Sequence, residues 1–298
     1  MAFPYWSKTL QNPEVMFNNL KTQDLSIIED QFGNKVLERV YPEDYFKCDH
    51  LSNHFTEYER IKCQFGSYTT PYDIWQSIKK DSNIKKMNPF DKRELVYSST
   101  RECNTFNVTF CLWIINTLIG PGSKILDPSS GWGDRLIAAI ASDAVVYNGF
   151  DPNKKLQKGY RKIIKTFKIG KPIINVKSIP FEEAKIKSDF YDIALTSPPY
   201  FDLEKYGDDS KQSIIKNPTY IEWLNNFYGP YITKMINSVR SGGFIVIYIE
   251  DITSNGTRYN MREFTIKTIN ETNTMKKHTR MGLKIGKSIR YALIWQKR

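Results

Sequence analysis

The chain contains no window of 18 or more apolar residues, so no segment is long enough to cross a bilayer as a helix, and no membrane partner is expected. Cysteine is scarce. Cys48, Cys63, Cys103 and Cys111 are the four thiols in 298 residues, and their spacing matches no disulfide framework. The opening residues, Met1 to Trp6, lack the charged start and apolar stretch of a secretory leader. Together these absences favour a reducing, intracellular setting. There is no internal repeat and no low-complexity tract. Cys48, His50, His54 and Cys63 fall within sixteen residues and invite a zinc reading. Neither the Cys-x-His step nor the eight-residue gap fits the usual finger spacing, so they read as ordinary residues of a helical segment and no metal is expected.

Positive charge is plentiful. Lys and Arg number 43 against 32 Asp and Glu, a formal charge of +11 with a pI near 9.3. A chain of this size with that balance is attracted to a polyanion, most simply nucleic acid. Lysine that merely tracks AT-rich coding would give the same composition. The distribution is uneven. Residues 251–298 carry eleven Lys and Arg against three acids. After Asp151, Lys154, Lys155, Lys158, Arg161, Lys162, Lys165 and Lys168 follow with no intervening acid. Positions 154, 158, 161, 165 and 168 share one helix face. Such a face is either solvated or a phosphate contact, and the C-terminal cluster stands closer to where substrate is expected.

Residues 1–100 are polar and aromatic, with weak helical periodicity at Pro13–Asn19, Asp24–Phe32 and Tyr72–Lys80. From Arg93 a better amphipathic helix is expected, mostly buried over Phe106 to Leu118 and ended by Pro121-Gly122. From there strand and helix alternate. Lys124–Asp127, Ala144–Phe150, Pro172–Lys177, Asp192–Ser197 and Phe244–Glu250 read as strands. Arg135–Ala141, Lys154–Lys168, Tyr220–Arg240 and Arg258–Asn270 read as helices, and Lys276–Ile285 with Ser288–Gln296 as a closing hairpin. Strands joined by helix-length crossovers give a parallel sheet covered on both faces. A division into a helical region at 1–100 and an α/β domain at 101–298 is expected.

Two segments carry chemistry. Asp127-Pro128-Ser129-Ser130-Gly131-Trp132-Gly133-Asp134-Arg135 ends a strand in an acid and turns through glycines into a helix. Gly131 and Gly133 lack the Cβ that would block a ligand from approaching the backbone. The third glycine of the dinucleotide fingerprint is missing. About 20 residues on, Asp151 closes the next strand, where an acid can accept from ribose hydroxyls or cap the following helix. Roughly 70 residues after the first segment, Thr196-Ser197-Pro198-Pro199-Tyr200 closes another apolar strand.

In this order and separation the two segments resemble the amino-directed DNA methyltransferases. These transfer a methyl group from S-adenosylmethionine to the exocyclic amine of cytosine or adenine. The resemblance covers about residues 100–296 and has the gamma-like order, cofactor loop before catalytic motif. It implies a class I, Rossmann-like α/β fold: seven mostly parallel strands with a final antiparallel hairpin. It implies that Asp127, Pro128, Ser129, Gly131 and Gly133 wrap the methionine half of the cofactor and that Asp151 holds its ribose. Ser178 and Phe181 would lie at its adenine, and Thr105 and Phe106 would close over it. Thr196, Ser197, Pro198, Pro199 and Tyr200 are the implied catalytic motif. Ser at its first variable position accompanies cytosine N4 chemistry, whereas Asp or Asn accompanies adenine or glutamine. Trp132 departs from the family's small residue, and its indole is expected to pack on the N-terminal segment. Only about 50 residues follow the fifth strand, too few for the usual recognition domain, so sequence reading falls to residues 1–100 or the loop 202–218. An RNA base, a protein glutamine, or a catalytically silent nucleic-acid-binding subunit remain alternatives. The sequence leaves the oligomeric state open.

Overall fold

Three N-terminal helices begin with the same local grammar, a polar cap followed by proline, which fits the first helical position because its missing N–H has no intrahelical partner there. Asn12 caps α1 (Pro13–Thr22), Thr70 caps α3 (Pro71–Ile78) and Asn88 caps α4 (Pro89–Ser98). α2 (Asn53–Arg60) lies between the first two. The computed structural model describes residues 1–38, 48–207, 210–254 and 256–298.

The segment expected to be helical at Asp24–Phe32 is instead a hairpin, β1 (Ser26–Glu29) and β2 (Lys35–Glu38). Its weak periodicity is overridden by pairing far along the chain: β2 lies parallel to β8 (Met275–Ile285), with Val36 opposite Gly282. A Cβ on Gly282 would stand 2.9 Å from Val36 Cγ2, so glycine lets the two strands meet.

The other strands are β3 (Lys124–Asp127), β4 (Val146–Phe150), β5 (Ile173–Lys177), β6 (Tyr191–Thr196), β7 (Val239–Tyr248) and β9 (Ser288–Lys297). Among the described residues they form a nine-stranded sheet in the order β1-β2-β8-β9-β7-β6-β3-β4-β5. Within it β9 is antiparallel to both neighbours, and the seven strands from β8 to β5 reproduce the class I methyltransferase topology expected from sequence. The strand order reverses between the parallel neighbours β6 and β3, which makes a crevice at the carboxyl ends, where open α/β sheets bind ligands.

Helices α5 (Val108–Leu118), α6 (Asp134–Ala141) and α7 (Gln157–Phe167) pack in one hydrophobic core with Met16, Phe17, Leu20, Leu37, Leu51 and Phe55. Helix α8 (Gly229–Ser238) and α9 (Met261–Glu271) belong to a second core on the sheet.

Two helix limits differ from expectation. The stretch 220–240 passes through a π-helical turn at Trp223–Tyr228 and ends at Ser238, because β7 starts at Val239 and takes Gly242-Gly243 into its strand. The last helix starts at Met261, since Thr257–Tyr259 pairs with Ile252–Ser254.

The reading of four free thiols is corrected for two. Cys63 and Cys103, with Cα atoms 6.0 Å apart, are disulfide-bonded, while Cys48 and Cys111 are buried thiols. A separation of 40 residues leaves no pattern in the sequence. Among the described residues no helix is long and apolar enough to cross a membrane.

Candidate active site

The turn after β3 is held by its own side chains. Asp127 accepts from the Ser129 N–H at 3.2 Å, from Arg135 Nε at 3.0 Å and from the Tyr147 hydroxyl at 2.7 Å. Arg135 also donates to the Ser129 carbonyl. With its carboxylate spent on these donors and its side chain fully buried, Asp127 pins the loop from behind and does not line the crevice. Gly133 also stands back. Its φ is +93°, and a Cβ would come 2.7 Å from Ile163 Cδ1, so this glycine serves the packing of α6 on α7. Gly131 is different. Its φ is +53°, and a Cβ would meet only the Ser129 carbonyl oxygen at 3.8 Å, because its open side faces a cavity.

That cavity has a volume of about 1120 Å³ and sits over the carboxyl ends of β3, β4 and β6. Pro128, Ser129, Gly131, Asp151, Phe181, Thr105 and Phe106 line it. So do Ser197, Pro198, Pro199 and Tyr200. Ser178 is not in the lining, and its buried hydroxyl has no partner among the described residues. Thr196 is absent from the lining as well. Its hydroxyl is buried on the Tyr231 hydroxyl at 2.8 Å.

Asp151 closes β4 and ties it to the glycine turn. Its two oxygens accept the Gly131 N–H and the Asn153 N–H, each at 2.9 Å. Capping of the next turn falls to Asn153, which accepts from Lys155 N. Burial pushes the Asp151 carboxyl up to about 7, against the pull of the two N–H bonds. Tyr231, on α8, bridges both candidate segments. Its hydroxyl lies 2.8 Å from Ser129 Oγ and 2.8 Å from Thr196 Oγ1.

After β6 the chain turns sharply. Phe201 adopts φ +43°, a strained value for a bulky residue, and is held there by the rings of Tyr220, Trp223 and Tyr259. The turn presents Ser197, Pro198, Pro199 and Tyr200 to the cavity. Tyr200 donates to the Tyr248 carbonyl at 3.2 Å, and burial raises its phenol while Ser197 partly offsets the rise.

The start of the polar loop after Tyr200 is strapped down. Glu204–Lys205 pairs with Gln64–Phe65, and Gly66 donates to the Leu203 carbonyl at 2.7 Å. Glu204 accepts from Asn104 N at 3.0 Å and from the Tyr206 hydroxyl at 2.5 Å. Residues 208–209 of this loop lie outside the described residues. Trp132 differs from expectation: only its backbone carbonyl meets the N-terminal segment, accepting from Thr56 at 2.8 Å, whereas its indole donates to the Asn104 carbonyl, lies against Tyr206 and lines the cavity.

Residues that the sequence reading missed also line the cavity: Asp134, Arg135, Tyr206, Tyr231, Tyr248 and His50. Asp134 is buried, accepts the Phe106 N–H at 3.2 Å with one oxygen, and has no partner for the other among the described residues. Burial pushes its carboxyl up to about 6. Its position just past the second glycine was the available signal. Tyr231 gave none, lying 35 residues from the strand end that it touches. Cys48, His50, His54 and Cys63 do not converge: Cys63 is bonded to Cys103, Cys48 donates to the Met16 carbonyl and His50 stacks on Trp6.

No protein-family profile and no curated protein sequence matches the chain. Solved structures do. The chain is similar to TrmN from Thermus thermophilus at 12% identity and a TM-score of 0.46, over 65% of this chain and 50% of that one. It is similar to magnesium protoporphyrin IX methyltransferase (ChlM) from Synechocystis PCC 6803, solved with bound SAM, at 11% identity and a TM-score of 0.45, over 87% and 100%. A third is the M. jannaschii tRNA m1G37 methyltransferase, at 14% identity and a TM-score of 0.42, over 63% and 48%. The matched region is thus about half the length of the first and third of these proteins.

Proposed function

We propose that the chain is an S-adenosylmethionine-dependent methyltransferase that modifies the exocyclic amine of a base in DNA, with cytosine N4 preferred. One observation carries the reading: Ser197, Pro198, Pro199 and Tyr200 line the same cavity as Gly131 and Asp151. The cofactor supplies an electrophilic methyl group on a sulfonium. Gly131 offers open backbone for its methionine half, and Asp151, each oxygen holding only one N–H, keeps lone pairs for ribose hydroxyls. Phe181 and Phe106 supply apolar walls.

The chain's own chemistry is positioning. An aromatic amine is a poor nucleophile because its lone pair is delocalised into the ring. Acceptors on both of its N–H bonds draw the nitrogen toward tetrahedral geometry and free that lone pair. They stabilise charge that develops only in the transition state. The Ser197 hydroxyl and the Pro198 carbonyl suit the task, and the two prolines stiffen the backbone that holds them. Tyr200 offers a ring on which a base extruded from its stack can lie.

The test is mass spectrometry of nucleosides from DNA incubated with the protein and labelled cofactor. Labelled N4-methylcytosine is expected and is lost in the Ser197→Ala, Tyr200→Ala double variant. Label on adenine alone overturns the cytosine assignment. Label on RNA or protein but on no DNA base removes the DNA reading.

A further inference from the structure

The excess positive charge of the chain is partly cancelled in the fold, and the cancellation is uneven. In the C-terminal stretch, Arg258, Arg262, Lys267, Lys284 and Lys297 are each ion-paired, with Asp251, Glu250, Glu271, Glu38 and Asp189. The cations left over there are split. Six remain: Lys276 and Lys277 at the start of β8, Arg280 within it, Lys287 past its end, Arg290 on β9 at the cavity lining, and Arg298 past β9; the eleven-residue strand keeps Lys276 and Lys287 about 35 Å apart.

Around α7 the picture is reversed. Lys154, Lys155, Lys158, Arg161, Lys162, Lys165 and Lys168 are all exposed. Among the described residues only Lys155 has an acidic partner, Glu59 at 3.6 Å. This concentration follows from packing. Gly159, Tyr160, Ile163 and Phe167 form the buried face of α7, and Gly159 fits so closely on α2 that a Cβ would stand 2.7 Å from the Phe55 carbonyl oxygen. The opposite face is left to solvent, with Lys158, Arg161 and Lys165 in line over about 10 Å, close to three base steps of one DNA strand. The row begins at the cavity itself, whose lining includes Lys154 and Lys155.

We propose that this outer face of α7 is a rail for the phosphate backbone of DNA, leading a strand to the cavity mouth. The rail rests on the DNA reading given above. It contacts phosphates, so it holds the strand without reading its sequence. Arg290 of the C-terminal hairpin stands at the cavity and adds one charge there; the hairpin's other cations are paired or spread along its length and contribute less.

The test is fluorescence anisotropy with a labelled single-stranded DNA, its duplex and the matching RNA, without cofactor, across a salt series. The Lys158→Gln, Lys165→Gln variant is compared with Lys276→Gln, Lys277→Gln, which removes equal charge at the far end of β8. The α7 variant is expected to bind DNA roughly tenfold more weakly, with a log–log salt slope shallower by about 1.4–1.8, while its thermal melt is unchanged. The β8 variant is expected to stay near wild type. Equal losses in the two variants, or no loss in the α7 variant, overturn the rail, and so does wild-type binding that favours RNA over both DNA forms. DNA binding through α7 with no methyl transfer leaves the rail standing and sinks the methylation reading. Methyl transfer with unchanged binding in the α7 variant does the reverse.

Discussion

Asp151 is asked to do two things with one carboxyl group, and its protonation links them. Burial pushes it up to about 7, whereas in an unfolded chain it titrates near 4. The folded protein therefore holds a proton that the unfolded chain has released. That contribution to stability is fully present below about pH 4 and is lost as pH rises toward 7. Asp134, pushed up to about 6, acts in the same direction. Unfolding measured by urea at several pH values should show a steeper decline above pH 4 for wild type than for Asp151→Asn. Cofactor binding carries the opposite sign, because ribose hydroxyls donate to a carboxylate better than to a carboxylic acid. Affinity for S-adenosylmethionine should rise through about pH 7 and release up to one proton, seen by calorimetry in buffers of different ionisation heat. A flat profile in wild type would count against the ribose role. Tyr231 gives a second test at this scale. Tyr231→Phe leaves Ser129 Oγ and Thr196 Oγ1 without the hydroxyl that joins them, the first half-buried at the cavity and the second fully buried. A loss of about 1–3 kcal/mol in urea unfolding is expected. Turnover should fall more than cofactor affinity, because the glycine turn keeps its hold on Asp151 while its tie to β6 is cut.

The contact between α2 and α7 shows what a single missing Cβ does for an element. Gly159→Ala would press a methyl to 2.6 Å from Thr56 Cγ2 and 2.7 Å from the Phe55 carbonyl oxygen, and backbone cannot swing aside. The helices must part, at a cost of about 1–3 kcal/mol, with Thr56 drawn off the Trp132 carbonyl that it donates to. Gly170→Ala is the comparison: φ is +74° but nothing lies within 4 Å, so only the backbone strain of about 1 kcal/mol is expected. Chemical denaturation of the two variants tests the difference. This contact also marks where sequence reading stops. The parallel strands from Lys124 onward were legible because they are short, mostly apolar runs bounded by turns and helices, and the closing hairpin because two strand-like segments flank Gly286. Gly131, Asp151 and Ser197 to Tyr200 were legible because they sit at the ends of such runs. The β1–β2 hairpin was not, since its strands are four residues each and their partner β8 lies about 240 residues on. Nor could spacing reveal that Asp127 and Gly133 support the cavity from outside while Asp134 and Arg135, beside them, face into it.

Across the whole molecule, residues 1–100 are bound into the α/β body on several sides. Phe17 stacks on Phe167 at 4.4 Å between ring centres, β2 extends the sheet beyond β8, and Arg60 pairs with Glu102 at 2.6 Å beside the turn that carries Thr105 and Phe106. Arg60 is fully buried, and its charge is held by Glu102 together with the Asn53 side chain and the Cys103 carbonyl that accept from it. A chain starting at residue 101 would leave the α7 face that meets α2 uncovered, open the edge of β8, and strip Phe65 and His50 from the cavity wall. Such a fragment is expected to aggregate or remain partly unfolded. In the full chain, tryptophan fluorescence and far-ultraviolet circular dichroism should report one coincident unfolding transition, since Trp75 and Trp113 sit in the N-terminal helices and in α5 and both are buried. Two separated transitions, with the fragment from residue 101 soluble and able to bind S-adenosylmethionine, would instead show that the first hundred residues are an appendage. The cavity would then owe nothing to the residues that wall it from the N-terminal side.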